Sequence, residues 1–105
     1  MGPEASPRLS SVWDPAKAEA NFAKHGVTFA LAATVLRDPL ALTIFDEAHS
    51  AFEERWFTLG QDAEGRLLAV SHTYTLLEPE AVRVRIISAR AATRRERRQY
   101  ENEVG

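Results

Sequence analysis

The chain of 105 residues contains no cysteine. This absence excludes a disulfide scaffold, a thiolate nucleophile, an iron–sulfur cluster and any zinc site built on cysteine. It also fits a reducing compartment, and we expect a cytoplasmic protein. There are only five glycines, and none of them belongs to a phosphate-binding pattern such as GxxxxGK[ST] or GxGxxG. We therefore expect no nucleotide-binding loop and no cofactor.

Long apolar runs are missing as well. No stretch approaches the ~20 residues that a membrane helix needs. The first ten residues lack the apolar segment of a secretory signal. We interpret residues 1–10 as a flexible tail and residues 11–105 as a single domain. Hydrophobic residues make up 45% and charged residues 27% of the chain, which argues against a wholly disordered protein.

The formal net charge of −2 hides a strong asymmetry. Residues 83–98 contain seven arginines and one acid, a balance of +6, which leaves −8 on the rest of the chain. A protein that only coats nucleic acid is normally basic overall. A basic strip on an acidic body instead suits a focused site for an anion or a docking surface for a charged partner. A solvated basic face is the alternative that composition leaves open.

Capping residues and hydrophobic periodicity predict two N-terminal helices. Asp14 can cap the first helix, and Gly26 supplies the left-handed residue that ends it. Thr28 can cap a second helix, whose apolar residues recur at helical spacing. That helix should end before Pro39, because the residue preceding a proline resists the helical conformation.

The second half of the chain changes to a period of two, which is typical of strands. A capping box of Thr93 and Glu96 then predicts a C-terminal helix. Short connections favour neighbouring antiparallel strands. The expected fold is an α+β domain with two N-terminal helices, an antiparallel four-stranded sheet and a C-terminal helix. The four predicted strands, which follow a weak strand at residues 11–13, are residues 40–45, 53–60, 66–75 and 82–88.

The residue types that remain suit cleavage of RNA without a metal ion. His25, His49 and His72 lie far apart and show no metal-binding spacing, so we predict no metal site. In metal-free cleavage, the 2′-hydroxyl group attacks the neighbouring phosphate. A base removes the hydroxyl proton, cations stabilise the anion that forms, and an acid protonates the leaving oxygen.

Three residues are the predicted catalytic set. Arg85 and Arg90 would clamp the scissile phosphate, because a guanidinium offers two parallel donors to two phosphate oxygens. His72 would transfer a proton, since it lies on the strand face of Leu68 and Val70 beside the strand expected to carry Arg85. A hydrogen-bonded core histidine is the equally supported alternative for His72.

Four further residues are predicted to hold the RNA backbone. Arg94 and Arg95 lie in the first turn of the last helix, where cations oppose the helix dipole and a bound anion would relieve the conflict. Lys24 and His25 lie at the end of the first helix. The alternatives are that both arginines point into water, that His25 only caps the helix end, and that Lys24 is a surface lysine.

Three stretches of the sequence read WDPAKAEANFAKHGVTFALAATVLRDP, HSAFEERWFTLG and RIISARAATRRERRQYE. Together they resemble the BrnT toxins of bacterial type II toxin–antitoxin pairs, and the resemblance spans residues 12–101. The resemblance implies a RelE-like α+β fold and a ribonuclease activity that arrests growth. It also implies inhibition by a BrnA-like antitoxin with a ribbon-helix-helix DNA-binding part, and contact with promoter DNA only through that antitoxin.

Two other functions remain open from the sequence. One is a non-catalytic module that uses its arginine strip to dock a protein or a nucleic acid. The other, least favoured, is a metal-dependent nuclease that uses the histidines.

Overall fold

The computed structural model describes residues 8–77 and 79–104. The α-helices and strands in this part of the chain are β1 (Arg8–Val12), α1 (Pro15–His25), α2 (Phe29–Val35), β2 (Leu42–Phe45), β3 (Trp56–Gln61), β4 (Leu67–His72), β5 (Thr75–Leu77), β6 (Ala81–Ala91) and α3 (Arg94–Val104), with a short 3-10 helix at Glu47–His49. The predicted α+β class with three helices is confirmed. None of these described helices has the length and apolar character needed to cross a membrane.

The sheet corrects the predicted strand number and direction. Its order is β1-β6-β4-β3-β2, and β5 also pairs with β6, so the described residues form a six-stranded sheet rather than a four-stranded one. β1 runs parallel to β6, whereas the other pairs are antiparallel. The parallel pair joins two strands separated by most of the domain, and a local hydrophobic pattern does not report such a pairing.

Every strand boundary region differs somewhat from the prediction: β2 begins at Leu42, β3 begins at Trp56 rather than at residue 53, and β6 extends from Ala81 to Ala91. β1 begins at Arg8, so residues 8–10 belong to the sheet rather than to a tail; residues 1–7 lie outside the described residues. The predicted strand at residues 66–75 is divided into β4 and β5, and the pairing of β4 with β6 shifts register between Ser71 and His72. An extra residue on one strand of a pair disturbs the ladder in this way and bends the strand.

The helix ends agree with the capping residues. The Asp14 carboxylate accepts a hydrogen bond from the Ala16 amide at 3.0 Å, and Gly26 adopts the left-handed conformation with φ of 69°. The Thr28 hydroxyl accepts from the Leu31 amide at 3.1 Å. The capping box of α3 also forms, with distances of 3.0 and 2.9 Å for its two reciprocal hydrogen bonds.

The helices cover the two faces of the sheet unequally. α1 and α2 pack on one face, where Phe29, Val35 and Ala32 meet buried side chains of β4 and β6. On the other face, Tyr100 of α3 packs on Leu59, which belongs to β3, and on two residues of β4. Those contacts lie beside the C-terminal end of β6. The N-terminal half of β6 therefore keeps one face outside both helix layers.

Asn21 fastens α1 to the edge of β6 that extends beyond β1. Its side-chain amide donates to the carbonyl oxygens of Val27 at 3.1 Å and Ala89 at 2.9 Å, and its oxygen accepts from the Ala89 amide at 3.0 Å. The side chain is buried. It satisfies backbone groups that a neighbouring strand would otherwise pair, because buried amides and carbonyls need partners.

Tyr100 fixes α3 through a partly buried hydrogen bond. Its hydroxyl donates to the Asp38 carboxylate at 2.6 Å, and that carboxylate also accepts from the amides of Leu40 and Gln61. Burial, together with this hydrogen bond, raises the pKa of Tyr100 to about 12. The phenol therefore stays protonated and bound over the working pH range.

Tyr100→Phe should lower the free energy of unfolding by about 1.5–3 kcal/mol, the usual contribution of a hydrogen bond to a charged group. Urea unfolding at neutral pH measures the change. Tyr74→Phe, which removes the hydroxyl of an exposed tyrosine, should stay within about 0.5 kcal/mol of the native protein. Equal unfolding midpoints for Tyr100→Phe and the native protein would show that the contact to Asp38 does not hold α3.

Candidate active site

The uncovered face of β6 forms one wall of a cleft, which we name the arginine cleft. Val12 of β1 pairs with Arg85, and Thr75 of β5 pairs with Arg83, so both residues share the face of the sheet that carries the two arginines. Val84, between the two arginines, is fully buried on the opposite face. The cleft has a volume of about 520 Å³ and is lined by Val12, Glu53, Glu54, Thr73, Tyr74, Thr75, Arg83 and Arg85.

The guanidinium of Arg85 forms an ion pair with a carboxylate of the same chain, that of Glu53. Nη2 of Arg85 donates to Oε1 of Glu53 at 2.5 Å, and Nη2 of Arg55 lies 3.7 Å from the same oxygen. The hydrogen bond from Arg85 holds the pKa of Glu53 below its ordinary value, and the charges of Arg85, Arg55 and Lys17 add to the effect. Glu53 is therefore ionised at neutral pH. An exposed ion pair is weak, so an incoming anion can replace the carboxylate.

Arg90 lies on the same face of the sheet, but at the far end of β6. Its Nη1 and Nη2 atoms donate to the two carboxylate oxygens of Glu96 at 2.8 and 2.9 Å, and its guanidinium lies 5.9 Å above the ring of Phe57. The hydrogen bond to Glu96 raises the pKa of Arg90, and the same bond lowers the pKa of Glu96. Arg90 and Arg85 are five residues apart on an extended strand, which separates their Cα atoms by roughly 15 Å.

The Glu96 carboxylate makes two structural contacts at once. It caps α3 by accepting from the Thr93 amide, and it holds the end of the Arg90 guanidinium. Nη1 of Arg90 also reaches the Ala91 carbonyl at 3.3 Å. Among residues 8–77 and 79–104, the Nε–H group and the second Nη2–H group of Arg90 have no partner. One side of the guanidinium is thus available as a two-donor fork whose position is fixed by Glu96.

His72 lies on the other face of the sheet. It is 1% exposed; its Nδ1 donates to the Thr73 carbonyl at 2.9 Å, and its Nε2 accepts from the Thr58 hydroxyl at 2.7 Å. The Thr43 hydroxyl lies 2.9 Å from that of Thr58. His72 is adjacent to β6, as expected, but it faces the layer of α1 and α2 rather than the arginine cleft. Its role in proton transfer stays a prediction, since neither nitrogen reaches solvent directly.

The burial of His72 predicts a dependence of stability on pH. Desolvation lowers the pKa of His72 from its ordinary value of 6.5. Below pH 6.5 the histidine binds a proton in the unfolded chain, whereas in the folded protein it stays neutral until a lower pH. The stability is therefore fully present above about pH 6.5 and falls as the pH drops below it.

His72→Gln should remove this part of the pH dependence. Urea unfolding midpoints measured at pH 7.5 and 5.5 should differ less in the variant than in the native protein. His25→Gln, at an exposed position, should keep the native difference. An unchanged difference in His72→Gln would mean that another group produces the dependence.

The four predicted RNA-binding residues lie outside the arginine cleft. Lys24 and His25 are exposed at the end of α1, on the opposite layer of the domain. Arg94 and Arg95 are exposed in the first turn of α3, next to the end of β6 that carries Arg90. The structure thus brings Arg90, Arg94 and Arg95 to one end of the face. As contacts to RNA, all four residues stay predictions.

Of the residues that line the cleft, sequence reasoning predicted Arg85 as a site residue, missed Tyr74 and gave Glu53 a minor role. Tyr74 lies where the predicted third strand breaks, and no sequence signal marks it. Glu53 reads as an exposed strand start that could steer an arginine, but its contact with Arg85 spans 32 residues and depends on the fold. Within the described part of the chain, no three His, Asp or Glu side chains are grouped as ligands for a metal ion.

A small α+β domain with an arginine-lined cleft on one sheet face is typical of a protein that binds a polyanion. Comparisons with known proteins identify the family. The family model described as the ribonuclease toxin BrnT of type II toxin–antitoxin systems matches residues 13–96. The chain belongs to this family, which confirms the resemblance noted in the sequence. It is a ribonuclease toxin, and its system implies an antitoxin partner.

A solved structure agrees with the fold. The crystal structure of the Brucella abortus ribonuclease toxin BrnT superposes with a TM-score of 0.57 at 24% sequence identity. The match covers 83% of this chain and 99% of that chain. No curated protein sequence matches this chain significantly.

Proposed function

We propose that this toxin cleaves RNA without a metal ion, by transesterification in the arginine cleft. The 2′-oxygen of one nucleotide attacks the adjacent phosphorus, and the bond from phosphorus to the 5′-oxygen breaks. The products are a 2′,3′-cyclic phosphate and a 5′-hydroxyl end. One observation carries the proposal: two arginines, a glutamate paired with one of them and a tyrosine line one cleft, namely Arg83, Arg85, Glu53 and Tyr74.

Each of these groups has a role in the reaction. The RNA phosphate displaces Glu53 from Arg85, and the guanidinium donates to two non-bridging oxygens. The attraction grows as charge accumulates on those oxygens, so Arg85 stabilises the transition state more than the substrate. The freed Glu53 carboxylate accepts the 2′-hydroxyl proton, and Tyr74 gives its proton to the 5′-oxygen. Exchange with water then restores both residues.

Arg90 holds a different phosphate from Arg85 in this proposal. Arg85 and Arg90 lie five residues apart on β6 and each pairs with a different carboxylate, which supports contacts to two phosphates rather than one. Arg90 instead uses its free fork for a neighbouring phosphate of the same strand, and Arg94 and Arg95 extend that contact. Lys24 and His25 would meet RNA only if a longer strand continued around the domain.

The antitoxin partner is proposed to be BrnA-like, with a ribbon-helix-helix part that alone contacts promoter DNA. The acidic remainder of the toxin repels DNA, which supports this division of labour. An acidic antitoxin segment laid over the arginine cleft would take the place that Glu53 occupies at Arg85. The finer description of the fold as RelE-like, and the action of the toxin in the cytoplasm, belong to the same proposal.

Purified toxin incubated with RNA in excess chelator tests the chemistry. Cleavage should proceed and leave 2′,3′-cyclic phosphate ends. Glu53→Gln should lower kcat by roughly 100-fold, a typical contribution of a general base. Glu47→Gln, an exposed position in the turn before the same loop, should retain native kcat. Cleavage that chelator abolishes and metal restores would overturn the proposal.

A further inference from the structure

We propose that a second pocket, next to the arginine cleft, binds one base of the RNA substrate by stacking it on Phe52. This loop pocket has a volume of about 410 Å³ and is lined by His49, Ala51, Phe52, Glu53 and Arg55. Glu53 lines both pockets, so the loop pocket begins where the arginine cleft ends. The inference rests on the proposed function, because the cleft beside it is taken to hold the cleaved phosphate.

Phe52 is the most unusual side chain on the surface. It is 102% exposed, more than any other large hydrophobic residue in the described part of the chain. The aromatic pairs there join Trp13 with Phe29 and Phe45 with Trp56, and neither includes Phe52. Proteins that bind single-stranded nucleic acid combine such exposed rings with cations that follow the phosphate backbone. Phe52 is followed in the chain by Glu53, the residue that pairs with Arg85, so an exposed ring and a cation occur at adjoining pockets.

The polar walls of the loop pocket can contact the edge of a base. Nδ1 of His49 lies 2.9 Å from a carboxylate oxygen of Asp46, which orients the imidazole ring and leaves its Nε2 on the other side. Arg55 makes a long ionic contact, with its Nη2 3.7 Å from Oε1 of Glu53, and its buried Nε has no hydrogen-bond partner in the described residues. An unpaired donor of this kind favours rearrangement around a ligand that offers an acceptor.

Size and position favour RNA over a protein partner. The volume lies at the small end of the range for small-molecule pockets, which suits one planar base better than a helix or strand. Its boundary with the cleft is the carboxylate that pairs with Arg85. A nucleotide whose phosphate contacts Arg85 would therefore have its own base or the next one within reach of Phe52.

Binding of non-cleavable RNA separates this inference from catalysis. We would measure dissociation constants by fluorescence anisotropy for four 2′-O-methyl oligonucleotides, each containing a single type of base. Phe52→Ala should weaken binding by about tenfold, within the range measured for loss of one stacked base. Phe52→Trp should bind as tightly as the native protein or more tightly. Phe22→Ala, which removes an exposed ring from α1, should leave all four constants unchanged.

Two further variants make the test specific. Phe52→Leu keeps apolar volume without a flat ring, so it should bind as weakly as Phe52→Ala. His49→Ala should change the ratio of affinities among the four oligonucleotides. Equal binding by the leucine and tryptophan variants would overturn stacking. Native RNA affinity in Phe52→Ala would overturn the base site. If the same variant also binds the antitoxin more weakly, Phe52 contacts the protein partner instead.

Failure of the proposed function gives a different result. If Arg85→Ala cleaves RNA normally, the arginine cleft is not the cleavage site, whatever the Phe52 variants show. If Arg85→Ala loses cleavage while Phe52→Ala binds RNA like the native protein, the cleavage site in the arginine cleft is supported and the base site is contradicted.

Discussion

Arg85→Ala should lower kcat/KM for RNA cleavage by on the order of 100-fold or more, the usual cost of removing one donor from a developing oxyanion. The reason lies in the geometry of the arginine cleft. Arg85 extends from a rigid strand between buried residues, and its guanidinium already holds an anion, the Glu53 carboxylate. Replacing it removes the two-donor contact to the phosphate. Single-turnover cleavage of a labelled oligonucleotide measures the loss.

Two comparisons keep this result specific. Arg85→Lys preserves the charge but not the planar fork, so it should recover only part of the activity. Arg37→Ala, which removes an exposed arginine beside the end of α2, should remain within about twofold of the native rate. The unfolding midpoint of Arg85→Ala should change little, because its ion pair with Glu53 is exposed. Full activity in Arg85→Ala would remove the residue from the mechanism.

Asn21→Ala should be the most destabilising of the single changes considered, at about 3–5 kcal/mol. The change deletes three buried hydrogen bonds and leaves the amide and carbonyl of Ala89 and the carbonyl of Val27 without their partner. Each buried polar group that loses its partner costs on the order of 1–3 kcal/mol. Much of the stability of a small domain would be lost, since the total is typically about 5–15 kcal/mol.

Urea unfolding measures this effect. Glu19→Ala, at an exposed position on the same helix, should stay within about 0.5 kcal/mol of the native protein. A loss below about 1 kcal/mol in Asn21→Ala would show that water replaces the side chain and that α1 is not fastened to β6 through it.

The local features of the fold could be predicted from the sequence because their causes are local. Asp14, Gly26 and Thr28 act within a few residues of the helix ends they define, and the capping box of Thr93 and Glu96 acts within one turn. The alternation of Arg83 and Arg85 with buried valines likewise places both arginines on one face of a strand.

The remaining features depend on contacts between distant parts of the chain. β1 pairs with β6 in parallel, and the register places Val12 beside Arg85. The alternation within β4 correctly places His72 on the same face as Leu68 and Val70. It does not predict that this face is opposite to the one that carries Arg85. That relation is set by the strand pairing, with its shift at Ser71. Glu53 reaches Arg85 only because the loop before β3 folds back over the sheet.

A crystal structure of the toxin with a 2′-O-methyl oligonucleotide is the most direct test of the proposed cleavage site. We predict the phosphate at the blocked 2′-position within hydrogen-bond distance of the Arg85 guanidinium, with Glu53 displaced from it. A phosphate bound instead beside Lys24 and His25, with Glu53 still paired to Arg85, would contradict the account.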